Sequence, residues 1–261
     1  MSVALLLDLD ETLIEEDSAA AAAFEATAAF AETHDHRVAE PVALVAAARA
    51  WARELWSSAP AYDYCRNIGI SSTEGLWCRF EGDDTANEAL RTWSPTYRRA
   101  TWARALEAQG VDDCALADTL AERFAAERRA RHRVFADVEP ALSDLRERYA
   151  LGLITNGASC LQHEKLDHSG LRPFFDVVVV SAEFGAGKPD ASIFRYALSR
   201  FAEPHEQAVM LGDSLGCDID GALSAGLQAI WVNRLRYPRP ADREEVVEVS
   251  TLTEAVAMLN T

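Results

Sequence analysis

The sequence predicts an α/β fold: a doubly wound, Rossmann-like parallel sheet with an all-helical segment inserted near its start. Three observations carry this. Short, continuous apolar runs stop abruptly at polar residues, helical patterns separate those runs, and no convincing run occurs between about Glu16 and Ala136. Four or five apolar residues without alternation suit a strand buried on both faces, as in a parallel sheet covered by helices. Alternation of such strands with helices defines the doubly wound arrangement.

The first strand is expected over Val3 to Leu7, ending at Asp8. Later runs are Leu151 to Ile154, stopping at Thr155-Asn156-Gly157, and Val177 to Val180, stopping at Ser181. Two more are Ala208 to Leu211, stopping at Gly212-Asp213, and Ala229 to Val232, stopping at Asn233. Helical patterns cover Glu139 to Arg148, Cys160 to Ser169, Ser192 to Phe201 and Asp218 to Ala225. Within the insertion, Leu44, Ala48, Trp51 and Leu55 mark Pro41 to Trp56 as amphipathic. Ser71 and Glu74 have capping-box spacing. Tyr97 to Gln109 and Cys114 to Arg131 are two further helices, parted by Gly110. The expected domains are a discontinuous α/β core, residues 1–15 and 137–261, and a helical domain, residues 16–136.

The 261 residues include 25 basic and 42 acidic side chains, a formal charge of −17. That balance argues against a nucleic-acid polymer or an anionic bilayer as partner, since both select a basic excess. No apolar stretch approaches the ~20 residues of a membrane-spanning helix. Met1-Ser2-Val3 lacks the basic start of a secretory signal. Cys65, Cys78, Cys114, Cys160 and Cys217 are odd in number and widely spaced, as expected of free thiols in a reduced, cytoplasmic protein. Oligomeric state is not readable, and a monomer is compatible with an acidic chain of this size. One feature is unusual: the only lysines are Lys165 and Lys188.

The polar residues that end these strands fall where ligands bind in open α/β sheets. Asp8 and Asp10 are two apart, so strand alternation sends both carboxylates to one side. Such a pair can divide nucleophilic and proton-transfer work. Each would repel the other unless a cation intervened, and Asp213 could give that cation a third carboxylate. Oxygen-rich ligation of this kind suits Mg²⁺. Thr155 and Asn156 offer groups able to bind phosphate oxygens, although a turn and helix cap is the favoured reading of these residues alone. Lys188 lies in Gly185-Ala186-Gly187-Lys188-Pro189, in a chain that otherwise prefers arginine. A compact ammonium fits between an anionic nucleophile and a phosphate better than a planar guanidinium does.

Taken in order, Asp8-Leu9-Asp10-Glu11-Thr12, Thr155-Asn156, Lys188-Pro189 and Gly212-Asp213 followed by Asp218 resemble the four motifs of the haloacid dehalogenase-like (HAD) hydrolase superfamily. The insertion after the first motif resembles the helical cap of C1-capped members. The stretch from Thr155 through Leu171 and Phe174-Phe175-Asp176 to Gly226 is similar to the N-acylneuraminate-9-phosphatase and pyrimidine-nucleotidase branches. The resemblance implies an Mg²⁺-dependent phosphatase acting on a small phosphorylated metabolite, a sugar phosphate or a nucleoside monophosphate. Asp8 would form a phosphoaspartyl intermediate, and Asp10 would serve as general acid and base. Mg²⁺ would be held by the carboxylates of Asp8 and Asp213 and the main-chain carbonyl of Asp10. Asp218 would orient a metal-bound water or a ligand, and Thr155, Asn156 and Lys188 would hold the phosphoryl group.

Three alternatives share this fold. A dehalogenase normally lacks the second aspartate of the first motif, which Asp10 supplies here. A phosphomutase tends to carry a histidine and a lysine just after that motif, where this chain has Ile14-Glu15-Glu16-Asp17-Ser18. A non-catalytic binding protein would be expected to lose Asp8, Asp10 or Lys188. In the insertion, Tyr62, Tyr64, Arg66, Trp77, Arg79 and Trp93 are either substrate contacts or, the more favoured expectation, packing and surface cover. Arg128, Arg129, Arg131 and Arg133 read as a solvated helix end. His34, His36 and His132 lack metal-ligand spacing. Glu11 should point away from the site if strand geometry persists.

Overall fold

A computed structural model describes residues 3–205 and 207–259; Met1, Ser2, Glu206, Asn260 and Thr261 lie outside the described residues. The chain begins with strand β1 (Val3–Leu7) and then enters six helices: α1 (Glu16–His34), α2 (Pro41–Trp56), α3 (Tyr62–Ile68), α4 (Ser72–Gly75), α5 (Thr85–Glu107) and α6 (Cys114–Arg129). It continues through α7 (Val138–Arg146), β2 (Ala150–Thr155), α8 (Ser159–His168), β3 (Val177–Val180), α9 (Ser181–Phe184) and α10 (Ala191–Ser199). The last elements are β4 (Gln207–Gly212), α11 (Asp220–Ser224), β5 (Gln228–Val232), β6 (Val247–Val249) and α12 (Leu252–Leu259). A π-helical turn, Leu215–Ile219, leads into α11.

The six strands form one parallel sheet in the order β3-β2-β1-β4-β5-β6, the doubly wound arrangement. Short β6 is an edge strand that no apolar run announced. Leu7 is in register with Leu153 on one side and Leu211 on the other. Alternation sends Leu5 and Leu7 to the face covered by Val138 and Leu142 of α7 and Leu252 of α12. Leu6 faces Ile193 and Phe194 of α10 and Ala222 of α11. Both faces are thus buried, which is why these strands lack polar alternation.

Chain contacts define two units: Met1–Glu15 with Arg133–Thr261, and Glu16–His132. Residues 133–136, placed by sequence with the helical domain, belong to the α/β unit. Glu15 N donates to Arg133 O at 2.9 Å, Phe135 N donates to Leu13 O at 3.1 Å, and Ile14 bridges Val134. Val134 and Phe135 pack on the sheet-face core, and this apolar pair sets the boundary.

The helical unit has its own core. Phe24 lies 4.4 Å from Phe124 and 6.0 Å from Trp102, between ring centroids. Helix α5 begins at Thr85, behind the Asp84 cap and twelve residues before the expected start at Tyr97, and Pro95 does not interrupt it. The expected solvated arginine run is corrected at one position: Arg128 is 1% exposed, bonded to Glu16, and stacked 4.6 Å from the Trp77 ring. A helix places only some members of such a run inward, and the spacing alone does not say which. Trp77 is fully buried, Trp93 stacks on Tyr97 at 4.8 Å, and Arg79 remains exposed beside Glu81.

Candidate active site

Adjacent strands β2, β1 and β4 all end at one edge, and that edge collects the polar residues. Asp8 follows β1 directly, and its N–H extends the ladder to Leu211 O at 3.0 Å. Thr155 is the last residue of β2, and Asp213 follows β4. Lys188 arrives on the loop after α9, where its Nζ donates to Asp8 Oδ1 at 2.6 Å and to Ile154 O at 2.9 Å. The same Nζ lies 2.6 Å from Asp218 Oδ1.

Asp218 is 1% exposed, and its Oδ2 accepts from Ser214 N at 2.9 Å. Its approach explains Gly212. A Cβ there would lie 2.3 Å from Asp218 Cγ, so only glycine lets the carboxylate close over the end of β4. Carboxylate oxygens of Asp8, Asp213 and Asp218 lie within 4.8 Å of one another, the arrangement a metal ion would require.

Burial dominates the electrostatics. It raises the Asp8 carboxyl to about 7; Lys188 opposes this, while Asp218 and Asp10 add to it. Burial, reinforced by Asp8 and Asp218, raises Asp213 to about 8. Burial also works against the Lys188 ammonium, but Asp218 and Asp8 outweigh it and hold this lysine above its ordinary range. Three carboxylates therefore crowd a single ammonium.

Asn156 is used differently from the expectation of a phosphate ligand. Its Nδ2 donates to Lys188 O at 2.9 Å, and its Oδ1 accepts from Lys188 N at 2.8 Å. Both ends of the side chain thus hold the Lys188 loop. Thr155 Oγ1 accepts from Gln162 Nε2 at 2.6 Å. Gly157 has φ of 143°, and a Cβ there would lie 2.9 Å from Gln162.

Two residues of this edge were missed by the sequence reading. Lys165 is 0% exposed, and its Nζ lies 3.1 Å and 3.0 Å from the two carboxylate oxygens of Asp10. Gln162, one helical turn earlier on α8, donates to Asp10 Oδ2 at 3.0 Å. The available signal was the lysine scarcity itself, which marked Lys165 as much as Lys188. The expectation for Glu11 also rested on a condition that fails. Strand geometry ends at Leu7, Glu11 has φ of 57°, and its charge bears on Asp213 and Arg234.

Residues 3–226 match the family model for haloacid dehalogenase-like hydrolases. The chain belongs to that family. It is 37% identical over 252 residues to a phosphoserine phosphatase of Thermus thermophilus, covering 96% of both chains. A pyrimidine 5'-nucleotidase of Escherichia coli is 39% identical over 119 residues, 45% of this chain and 53% of that one. Among solved structures, the putative HAD-hydrolase YfnB of Bacillus subtilis, described as bound to magnesium, superposes with a TM-score of 0.67. That comparison covers 100% of this chain and 99% of the other at 23% identity, and it shows the fold. The HAD-like motifs thus lie within the matched span and at one edge of the sheet. Among the described residues, no helix is long and apolar enough to cross a membrane.

Proposed function

We propose that this hydrolase is an Mg²⁺-dependent phosphatase of a small phosphorylated metabolite, working through a phosphoaspartyl intermediate, with the helical unit as its cap. The observation that carries the reading is the cluster of Asp8, Asp213 and Asp218 around one ammonium, with Asp10 beside it. Buried carboxylates in excess over cations are costly unless a further cation joins them, so the donor set fits a hard divalent ion. The carboxylates of Asp8 and Asp213, with the main-chain carbonyl of Asp10, would hold it. When bound, Mg²⁺ would neutralise this charge and stabilise charge on the transferring group.

The residues divide the remaining work. An Asp8 carboxylate oxygen attacks phosphorus, the bond to the ester oxygen breaks, and Asp10 gives that oxygen its proton. Water then attacks the acyl phosphate, Asp10 takes the water's proton, and phosphate leaves as the Asp8 carboxylate is restored. Lys188 opposes charge on the phosphoryl oxygens, and its contact with Asp218 fixes where the ammonium sits. Thr155 adds a hydroxyl, whereas the Asn156 side chain holds the lysine loop in place. Closure of the cap would exclude bulk water. Five free thiols suit a reduced, cytoplasmic setting for this chemistry.

The relative matched across nearly its whole length makes O-phosphoserine the first compound to try, followed by nucleoside monophosphates and sugar phosphates. Phosphate release across this panel should require Mg²⁺ and stop with EDTA. Release from no member would overturn the phosphatase reading, and indifference to EDTA would remove the metal from it.

A further inference from the structure

The two lysines of this chain each meet one carboxylate of the first motif: Lys188 meets Asp8, and Lys165 meets Asp10. Lys165 contributes nothing to the mechanism given above, although it is fully buried. Burying an ammonium is costly unless it is paired and hydrogen-bonded, and the carboxylate it reaches is the proton-transfer group. Its contacts to Oδ1 and Oδ2 differ by only 0.1 Å, at 3.1 Å and 3.0 Å, so it grips the carboxylate across both oxygens. Gln162 Nε2 adds a bond to Oδ2 at 3.0 Å while also touching Thr155 Oγ1 at 2.6 Å and Asn156 O at 2.5 Å. One amide thus ties Asp10 to the end of β2.

An ionised carboxylate has about four acceptor sites. The three contacts from Lys165 and Gln162 take both sites of Oδ2 and one of Oδ1. The Asp10 side chain is still 26% exposed, so a substrate atom can reach it. We infer that Lys165, with Gln162, is a positioning residue that turns the Asp10 carboxylate so that Oδ1 handles the leaving-group proton. This rests on the phosphatase reading above. In the step concerned, the bond from phosphorus to the ester oxygen breaks and the proton on Asp10 moves to that oxygen. A misplacement of ~1 Å in such a group can cost about 10²-fold in rate.

The test is the leaving-group dependence of kcat/KM in Lys165→Met. An alkyl phosphate needs the proton as its alkoxide departs, whereas p-nitrophenyl phosphate releases a stable phenolate without it. The best alkyl phosphate of the panel and p-nitrophenyl phosphate are assayed with the same Lys165→Met sample, with Mg²⁺ present. The ratio of the two kcat/KM values should fall at least ~10-fold below that of the unmodified protein, within the range general acid catalysis supplies. This ratio does not depend on how much of the variant is folded. Gln162→Leu, which removes the second donor to Asp10 Oδ2, should lower the ratio in the same direction. An unchanged ratio in Lys165→Met overturns the inference, because a purely structural lysine affects both substrates alike. If the unmodified protein hydrolyses neither compound, the phosphatase reading itself falls; if it hydrolyses both and the ratio stays fixed, only the role of Lys165 falls.

Discussion

Both units of this chain hold arginines against backbone and aromatic rings, as Arg234 does in the α/β unit, but only the α/β unit also buries lysines. In the helical unit, arginines meet main-chain carbonyls. Arg98 donates to Gly75 O and Cys78 O, and Arg129 donates to Trp77 O, while Arg128 bridges Glu16 and Arg131 O over the Trp77 ring. A guanidinium has five donors in a rigid fork, so it can satisfy a turn of backbone and an aromatic face together. In the α/β unit, the lysines meet carboxylates: Lys188 those of Asp8 and Asp218, and Lys165 both oxygens of Asp10. An ammonium is compact enough to fit among crowded oxygens, and its three donors can rotate to suit them. Arginine here supports architecture, and lysine is kept for places where anions converge.

That contrast can be broken most severely at Asp8. Asp8→Asn should lower phosphate release by roughly 10⁴-fold or more, as expected for a covalent nucleophile, while the circular dichroism spectrum stays unchanged. Activity above about one per cent of the parent would remove Asp8 from the nucleophile's role. Next comes the cation. Lys188→Met leaves the Asp8 and Asp218 carboxylates unpaired and buried, and should cost about 3–5 kcal/mol in urea unfolding of the metal-free protein. Lys188→Arg should not restore activity, since a planar guanidinium cannot put one nitrogen within 2.6 Å of both Asp8 Oδ1 and Asp218 Oδ1 and 2.9 Å of Ile154 O as the ammonium does.

The matching change in the helical unit is Arg128→Met. Glu16 retains 13% exposure, so water compensates part of the loss, and about 2–3 kcal/mol is expected in the same unfolding assay. Arg128→Lys should recover little of it, because a lysine cannot serve Glu16, Arg131 O and the Trp77 face at once. Equal recovery by lysine and arginine at both positions would dissolve the contrast between the units.

Last comes the pH dependence. Without metal, Asp8 and Asp213 keep their protons up to about 7 and about 8, while the unfolded chain loses them near 3.8. Between those limits the folded form binds more protons than the unfolded form, so their contribution is full at low pH and fades as pH rises. The melting temperature of metal-free protein should therefore fall as pH rises from 5 to 8. Added Mg²⁺ should reverse this at pH 8 and do little at pH 5, where protons already occupy the carboxylates. A melting temperature that rises with pH in EDTA would contradict the assigned directions.

The sheet was legible because burial on both faces forces uninterrupted apolar runs, and each run stops where the chain reaches the binding edge. Lys188 stood out for the same local reason, being set among glycines at such an edge. Lys165 did not, since it lies inside a helix and its partner, Asp10, is 155 residues away. Arg128 failed similarly: three neighbouring arginines look alike in sequence, and only the distant Glu16 tells the buried one apart. Asn156 was assigned to phosphate because its loop contact depends on the path of residues 185–189. Local chemistry is readable from a chain, but partnership across a fold is not.

The position of β1 has a consequence for how the protein is made. Its neighbours in the sheet are β2 and β4, and Leu7 pairs with Leu153 and Leu211. The strand that leads to Asp8 therefore leaves the ribosome before either neighbour and is flanked on both sides only after some two hundred further residues. At ~5–20 residues per second, that interval is roughly 10–40 s. During it, Val3–Leu7 is an apolar segment that lacks one or both of its sheet neighbours, while the intervening helices can close on local contacts. The edge that gathers Asp8, Thr155 and Asp213 is thus complete only once β4 is made, and truncated or stalled chains would display β1 to other molecules.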